Sequence, residues 1–169
     1  AEEILQEKEL PKKLVAFTQC YRTEAGRHGS ETPGIFRLHE FEKVEMVYIC
    51  KQEDSWDFLE EMTKRAEKIL ELLELPYRRI VLATADAGFA SAKTYDLEAW
   101  SPALKKYLET SSCSNCADFQ ARRMNSKYKT KEGVKFVHTL NGSALATPRL
   151  LIALLENNQT KNGTIKIPK

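Results

Sequence analysis

The 169-residue sequence has no apolar run longer than the six residues Leu150 to Leu155. A helix that spans a bilayer needs about 20, so no transmembrane helix is expected. The opening residues Ala1-Glu2-Glu3-Ile4 are acidic, with neither a basic nor an apolar region. They read as neither a signal nor a transit peptide, and the expectation is a cytoplasmic protein away from membranes. Excess charge of one sign is also missing: 26 Lys+Arg against 24 Asp+Glu leave a net +2. Any contact with nucleic acid must therefore come from a local patch. Histidine and cysteine are scarce, at three and four. His28, His39 and His138 stand alone, and only Cys113 and Cys116 form a close pair. A structural zinc site usually needs a second pair or histidines at ligand spacing. The cysteines are read as buried, reduced thiols, with a redox pair at Cys113 and Cys116 as the alternative. The sequence has no G-x-x-x-x-G-K-[ST], no G-x-G-x-x-G and no G-x-S-x-G. A nucleotide site here has to be built on a sheet from arginines.

Apolar residues at 42% and charged residues at 30% are the mix of an ordinary globular chain. A chain this long buries roughly 70% of the surface its unfolded form exposes, enough for one domain and one core. The first ten residues read as a short acidic helical stretch before Pro11. Leu14 to Arg22 reads as a strand, Thr23 to Gly34 as a large loop and Ile35 to Ile49 as a long strand. Asp54-Ser55 offers a helix N-cap. Leu59, Met62, Ala66, Ile69 and Leu73 then form one apolar stripe up to Pro76. Strands follow at Arg79 to Thr84 (buried type), Thr94 to Trp100, Tyr107 to Cys113 and Val134 to Leu140. Thr147-Pro148 opens a helix over Arg149 to Asn157, and Ile165 to Ile167 is a possible end strand. Consecutive strands with few helices predict an α+β fold with a mostly antiparallel sheet flanked by helices.

Three features stand out. Alternation puts Arg37, His39, Phe41, Lys43 and Glu45 on one face of the long strand, and Leu38, Val44, Met46 and Tyr48 on the core face. A polar face of this kind is either solvated or a platform where a guanidinium and a ring hold a flat heterocycle. Arg22 and Glu24 share a side at the end of the preceding strand. Arg149 is the only charged residue in Leu145 to Leu155, in the first turn of an all-round apolar helix. The helix dipole disfavours a cation there by about 0.3–1 kcal/mol, and a buried arginine needs an anion. That anion is either a structural carboxylate or a phosphate. Finally, Glu109 and Ser112 at the end of a strand are hard oxygen donors of the kind Mg2+ prefers.

Cys20-Tyr21-Arg22-Thr23-Glu24-Ala25-Gly26 and the run from Gly34 to Glu45 resemble motif 2 of class II aminoacyl-tRNA synthetases, in the seryl form. The run from Leu140 to Arg149 resembles motif 3 of the same family. Ala92 to Trp100, Glu109 to Cys116 and Asp118 to Arg123 also match in order. The resemblance implies the class II catalytic fold. It implies that residues 1–169 form one domain, the C-terminal portion of that fold. Motif 1, the N-terminal tRNA-binding arm and an upstream Thr-x-Glu loop are not in this sequence.

For the site, the resemblance implies that Arg22 contacts the α-phosphate of ATP and the amino-acid carboxylate, with Thr23 beside it. Glu24 and the main chain at Leu38 would face adenine, Phe41 would stack on it, and Arg37 would lie near the γ-phosphate. Glu109 and Ser112, with Thr110 and Ser111 between them, would bind Mg2+ and phosphate oxygens. Arg149 would sit at the adenine and γ-phosphate end. Arg22 and Arg149 would be catalytic. Glu45 and Ser143 would read serine, with Asn141 next to them. The implied ligands are serine, ATP with Mg2+ and tRNA(Ser), with no zinc and with a homodimer for the full-length protein. The implied activity is that of a serine–tRNA ligase. The alternatives are a paralogue that charges a non-tRNA carrier and a non-catalytic nucleotide-binding or interaction protein. The basic stretch Arg122 to Lys131 is either a tRNA phosphate contact or a solvated face. Ala85 and Ala144 stand where the family often has glycine, which is tolerable only where φ is not positive.

Overall fold

Alternating apolar and polar residues set the frame, seen in a computed structural model that describes residues 1–23 and 34–168. Strand β1 is Ile4–Gln6, β2 is Lys12–Tyr21 and β3 is Glu40–Cys50. Helix α1 is Ser55–Leu72. Strands β4 (Tyr77–Val81), β5 (Lys93–Ser101) and β6 (Lys106–Asn115) follow. Then come α2 (Phe119–Met124), β7 (Lys127–Thr130), β8 (Gly133–Phe136), β9 (His138–Ala146) and α3 (Thr147–Asn157). Six strands form one sheet in the order β2-β3-β9-β6-β5-β4, every neighbouring pair antiparallel. A small sheet, β1-β7-β8, stands apart and contains one parallel pair, β1 with β7. The expected α+β class and antiparallel sheet are what the chain forms.

Met46, Tyr48 and Cys50 on β3 are buried together with Leu59, Met62, Ala66 and Leu70 on α1. This is the 3.6-residue stripe of a helix laid on the period-2 face of a sheet. Leu70 is the fully buried residue of the last turns, while Ile69 and Leu73 are only half-buried. Leu97, Ala99, Cys113 and Leu140 complete the core from β5, β6 and β9.

Several expectations fail for identifiable reasons. The first ten residues are a strand and a 3-10 turn, Glu7–Glu9, instead of a helix. Leu5 gains burial against Tyr128 by pairing along β7. The long strand begins at Glu40, where pairing with β2 begins at Tyr21. Before it, Gly34–Phe36 forms a 3-10 turn, so Arg37 and His39 lie off the strand. The expected buried strand at Arg79 is the edge strand β4, and Val81 on it is exposed. Val134 to Leu140 is two strands that separate at Val137. Asp54 occupies the cap position of α1 without a side-chain bond, and the Ser55 hydroxyl instead donates to the Gln52 carbonyl at 3.0 Å. Thr147 is already the first residue of α3, and its hydroxyl donates to the Glu42 carbonyl at 3.2 Å. Helix α3 buries only Leu150 and Ala153, and Leu151 is exposed, so the helix is not buried all round. Ile165 makes a single bridge to Gln159 and no strand. Neither Ala85 nor Ala144 has a positive φ, so the missing glycines leave no backbone strain there.

Gly142 is the tightest point of the core. A Cβ there would lie 2.7 Å from Cys113 Sγ and 2.9 Å from Met62 Sδ. Gly142→Ala is expected to destabilise the fold by about 1–3 kcal/mol in a denaturant melt, the usual range for overpacking. Combining it with Cys113→Ala removes one of the two clashing sulfurs. The loss in the double variant should then be smaller than the sum of the single losses.

Candidate active site

On the sheet face away from α1, the odd residues of β3 line a cleft. Phe41 and Lys43 border a cavity of about 100 Å³ together with Arg22, Phe36, Leu38 and Arg149. Arg22 lies one residue beyond β2 and is held there by its main chain, whose N–H donates to the His39 carbonyl at 2.8 Å. Its guanidinium rests 4.8 Å from the centre of the Phe41 ring. At the other end Arg149 rests 4.6 Å from the centre of the Phe36 ring. It also donates to both the carbonyl and the carboxylate of Glu109 at 3.1 Å. The first turn of α3 thus holds a half-buried cation, and Glu109 is its carboxylate partner here.

Two bulges decide which side chains reach the cleft. In a regular strand Glu109 and Ser112, three residues apart, point to opposite faces. Between Leu97 and Glu98 the pairing of β5 with β6 shifts, so that Ser111 faces Leu97 while Glu109 faces Glu98. Thr110 is the extra residue. Its hydroxyl donates to the Leu97 carbonyl at 3.1 Å, and Glu109 turns to the same side as Ser112. On β9 the extra residue is Ala144, between Leu145 opposite Val44 and Ser143 opposite Glu45. Ser143 and Ala146 therefore both line the first cavity.

Glu45 sits at the base of this face. It accepts from the Ser143 hydroxyl at 3.0 Å and the Asn141 amide at 3.3 Å, and Lys43 pairs with it at 3.0 Å. The Ser111 hydroxyl is occupied by the Ser143 carbonyl. A second cavity, about 400 Å³, adjoins the first and shares Glu109 and Ser112 with it; Asp96 and Asn141 also line it.

Of the residues singled out from the sequence, Arg22, Leu38, Phe41, Glu109, Thr110, Ser111, Ser112, Ser143 and Arg149 line the first cavity. Glu45 and Asn141 join it through hydrogen bonds. Thr23 is exposed and Arg37 half-buried, and neither lines it. Glu24 lies outside the described residues. Phe36, Lys43 and Pro148 also line the first cavity and Asp96 the second, although none is among the site residues expected from the sequence. Lys43 was legible as a neighbour of Phe41 and Glu45 on one strand face. Asp96 carried no signal beyond being a carboxylate inside an apolar strand. It is buried, and its Oδ1 has no hydrogen-bond partner among the described residues. Burial pushes its pKa up. The hydrogen bond from Ser112 opposes that, and the neighbouring carboxylates Glu109 and Glu98 add to it.

The profile of the family described as tRNA synthetase class II core domain (G, H, P, S and T) matches residues 1–158. The chain belongs to the class II tRNA synthetase core-domain family. It is 58% identical over its whole length to the serine–tRNA ligase of Thermosipho melanesiensis and covers 40% of that protein. It is 56% identical to that of a Sulfurihydrogenibium species, with 41% of that protein covered. The chain thus spans about two fifths of the length of these relatives. A solved structure of seryl-tRNA synthetase from Pyrococcus horikoshii, complexed with ATP, superposes with a TM-score of 0.95 at 45% identity; 99% of this chain and 38% of that one are covered. The cytoplasmic serine–tRNA ligase of Naegleria fowleri, in complex with AMP, gives 0.91 at 40% identity, with 99% and 40% covered. The class II fold implied by the motifs is the fold observed.

The cysteines of this family member lie apart. Cys113 is buried under α1 next to Gly142. Cys116 lines the second cavity, on the other face, within 3.7 Å of Asn141 Oδ1. Burial pushes the Cys50 and Cys113 thiols up to about 12 and raises Cys116 as well. Since the thiolate is the reactive form, iodoacetamide at pH 8 should label half-buried Cys20 first. Cys50, Cys113 and Cys116 should react only on unfolding, as read by mass spectrometry.

Asp96 gives a pH signature. Its folded pKa is raised, so the fold favours the protonated carboxyl. That contribution is present below the usual carboxylate range and is lost as pH rises through the folded value. Above the usual carboxylate range the raised folded value is a net cost to stability. Asp96→Asn should therefore raise the melting temperature at pH 7, and the gain should shrink at pH 4.

Proposed function

We propose that this chain carries the ATP and serine sites of a serine–tRNA ligase, which activates serine as seryl-adenylate and passes it to tRNA(Ser). The observation that carries the reading is a single cleft with three parts. One is the Arg22–Phe41 stack and the second is the Arg149–Glu109 pair. The third is the hydrogen-bonded group of Glu45, Asn141 and Ser143. The names of the similar ligases, and the ATP and AMP in the two solved structures, support it. The homodimer expected of the full-length protein belongs to the same reading.

In the first step the serine carboxylate attacks the α-phosphorus of ATP and pyrophosphate leaves. The carboxylate is ionised at neutral pH, so no general base is needed. That suits a cleft whose chemistry comes from arginines, carboxylates and hydroxyls. Arg22 lies against the Phe41 ring in the cavity that Ser143, the hydrogen-bond partner of Glu45, also lines, where one guanidinium can hold both the attacking carboxylate and the α-phosphate. A fixed cation there neutralises charge as it develops, without reorganisation. Phe41 offers an adenine a stacking surface of about 1–3 kcal/mol, as base–aromatic pairs do. Arg149 reaches the far end of the cleft, where the terminal phosphates would exchange for Glu109 as its partner. Glu45 and the Ser143 hydroxyl present polar groups to a substrate hydroxyl. A site built this way rejects an analogue that lacks the hydroxyl far better than an apolar pocket does.

Mg2+ accompanies ATP in such reactions. Glu109, Ser112 and the unpartnered Asp96 oxygen form a hard oxygen set that fits it. Bound there, the ion would neutralise phosphate charge.

The test is serine-dependent ATP–pyrophosphate exchange by the full-length protein. Exchange should occur with serine and not with alanine, and Arg22→Ala should lower it by about 100-fold or more, as for loss of one charge-stabilising donor. Exchange driven by another amino acid would refute the specificity, and none with any amino acid would refute the activity.

A further inference from the structure

We propose that the outer face of the small β1-β7-β8 sheet is a docking surface for the phosphate backbone of tRNA, recognised by charge and not by base sequence. The choice of partner rests on the ligase reading, and the surface lies outside the reaction cleft.

The strand pattern gives the first argument. Tyr128 on β7 is fully buried with Leu5, Ala121 and Val137. Side chains alternate along a strand, so Lys127 and Lys129 point together to the opposite, outer face. The register names their neighbours: Ile4 and Phe136 flank Lys127, and Gln6 and Val134 flank Lys129. Lys129 and Lys131 border an open hollow of about 580 Å³ with Lys8, which the 3-10 turn after β1 brings there. Arg122 extends the row at the other end. It and Lys127 both lie against the Phe136 ring, 4.8 and 5.0 Å from its centre. The buried tyrosine thus fixes a strand whose outer lysines are about 7 Å apart.

Charge gives the second. The whole chain carries only +2, yet residues 122–131 hold five cations and no carboxylate. The carboxylates nearest the row are engaged. Glu7 pairs with Lys51 at 3.6 Å, Glu132 with Lys135 at 3.6 Å and Asp118 with Arg122 at 2.7 Å. Among the described residues, Lys8, Lys129 and Lys131 have no carboxylate partner. Like charges set side by side cost the free protein stability. A polyanion laid across them removes that cost and releases its own counterions.

The kind of cation gives the third. Lysine is a point charge on a flexible stem, without the planar fork with which arginine reads a base edge. A row of lysines therefore suits phosphates along a backbone, whatever the bases. Protein–protein interfaces are depleted in lysine and anchored by aromatic rings. The Phe136 ring of this face is half-buried beneath Arg122 and Lys127, which leaves it no anchor of that kind. The same covering keeps the ring from the interface of a bilayer, where an aromatic anchor would sit.

The experiment measures binding of a fluorescent tRNA(Ser) transcript to the full-length protein by anisotropy over a range of salt. Lys8, Lys129 and Lys131 are all exposed, so replacing the three together by Gln should leave the fold intact. The triple variant should bind tRNA about tenfold or more weakly at low salt, and its slope of log K against log salt should be smaller by about 2–3. A non-cognate tRNA should lose the same factor, and replacement of the three by Arg should keep the affinity. Serine-dependent ATP–pyrophosphate exchange should be unchanged. Unaltered affinity and salt slope would overturn the proposal, also where the variant instead loses binding to phosphatidylserine vesicles. A matching fall in exchange would overturn it too, since the face would then act through the cleft. Absence of exchange in the unaltered enzyme would refute the ligase reading, whereas the anisotropy measurement decides this surface independently.

Discussion

Sealing one face of the six-stranded sheet with α1 is the constraint on which the rest of the molecule depends. The burial of Met46, Tyr48 and Cys50 against Leu59, Met62 and Ala66 anchors the middle of the sheet. Gly142 lets the helix approach so closely that only hydrogen fits between the backbone of β9 and the sulfurs of Cys113 and Met62. With that face closed, the other face is free to carry groups a core would not tolerate. Arginines, glutamates and hydroxyls sit there on strands held rigid from behind, the arrangement a site needs when its chemistry is positioning and charge neutralisation.

The polar face carries electrostatic tension. Glu98, Glu109 and Asp96 crowd together where β5 meets β6, and Asp96 Oδ1 is buried with no partner among the described residues. Arg149 relieves part of this by bonding to Glu109. Such an arrangement is poor for stability and suited to binding a cation and a polyanion. It is the usual trade between a stable site and a functional one.

Much of this was legible in the residues. The polar and core faces of β3, the buried stripe of α1, the strands β5 and β6 and the isolated charge at Arg149 follow from period 2, period 3.6 and helix polarity. The motifs around Arg22 and Arg149 carried the family, because five segments in order leave little room for coincidence. What misled was local pattern without tertiary context. Leu5 follows β pairing instead of the helical preference of its acidic neighbours. Val81 lies on an edge where its apolar character suggested a centre. Alternation extended the long strand back through Arg37, but pairing stops at Tyr21 and Glu40.

The sequence by itself determined the residue types of the cleft, the fold class and the family, because these depend on composition, periodicity and motif order along the chain. Only the tertiary structure decided which of those residues meet. Glu109 and Ser112 should diverge on a regular strand, as should Ser143 and Ala146. A single extra residue in each strand, Thr110 and Ala144, brings both pairs to the same face. A bulge is a mismatch between two strands far apart in the chain, so neither strand's own sequence contains it.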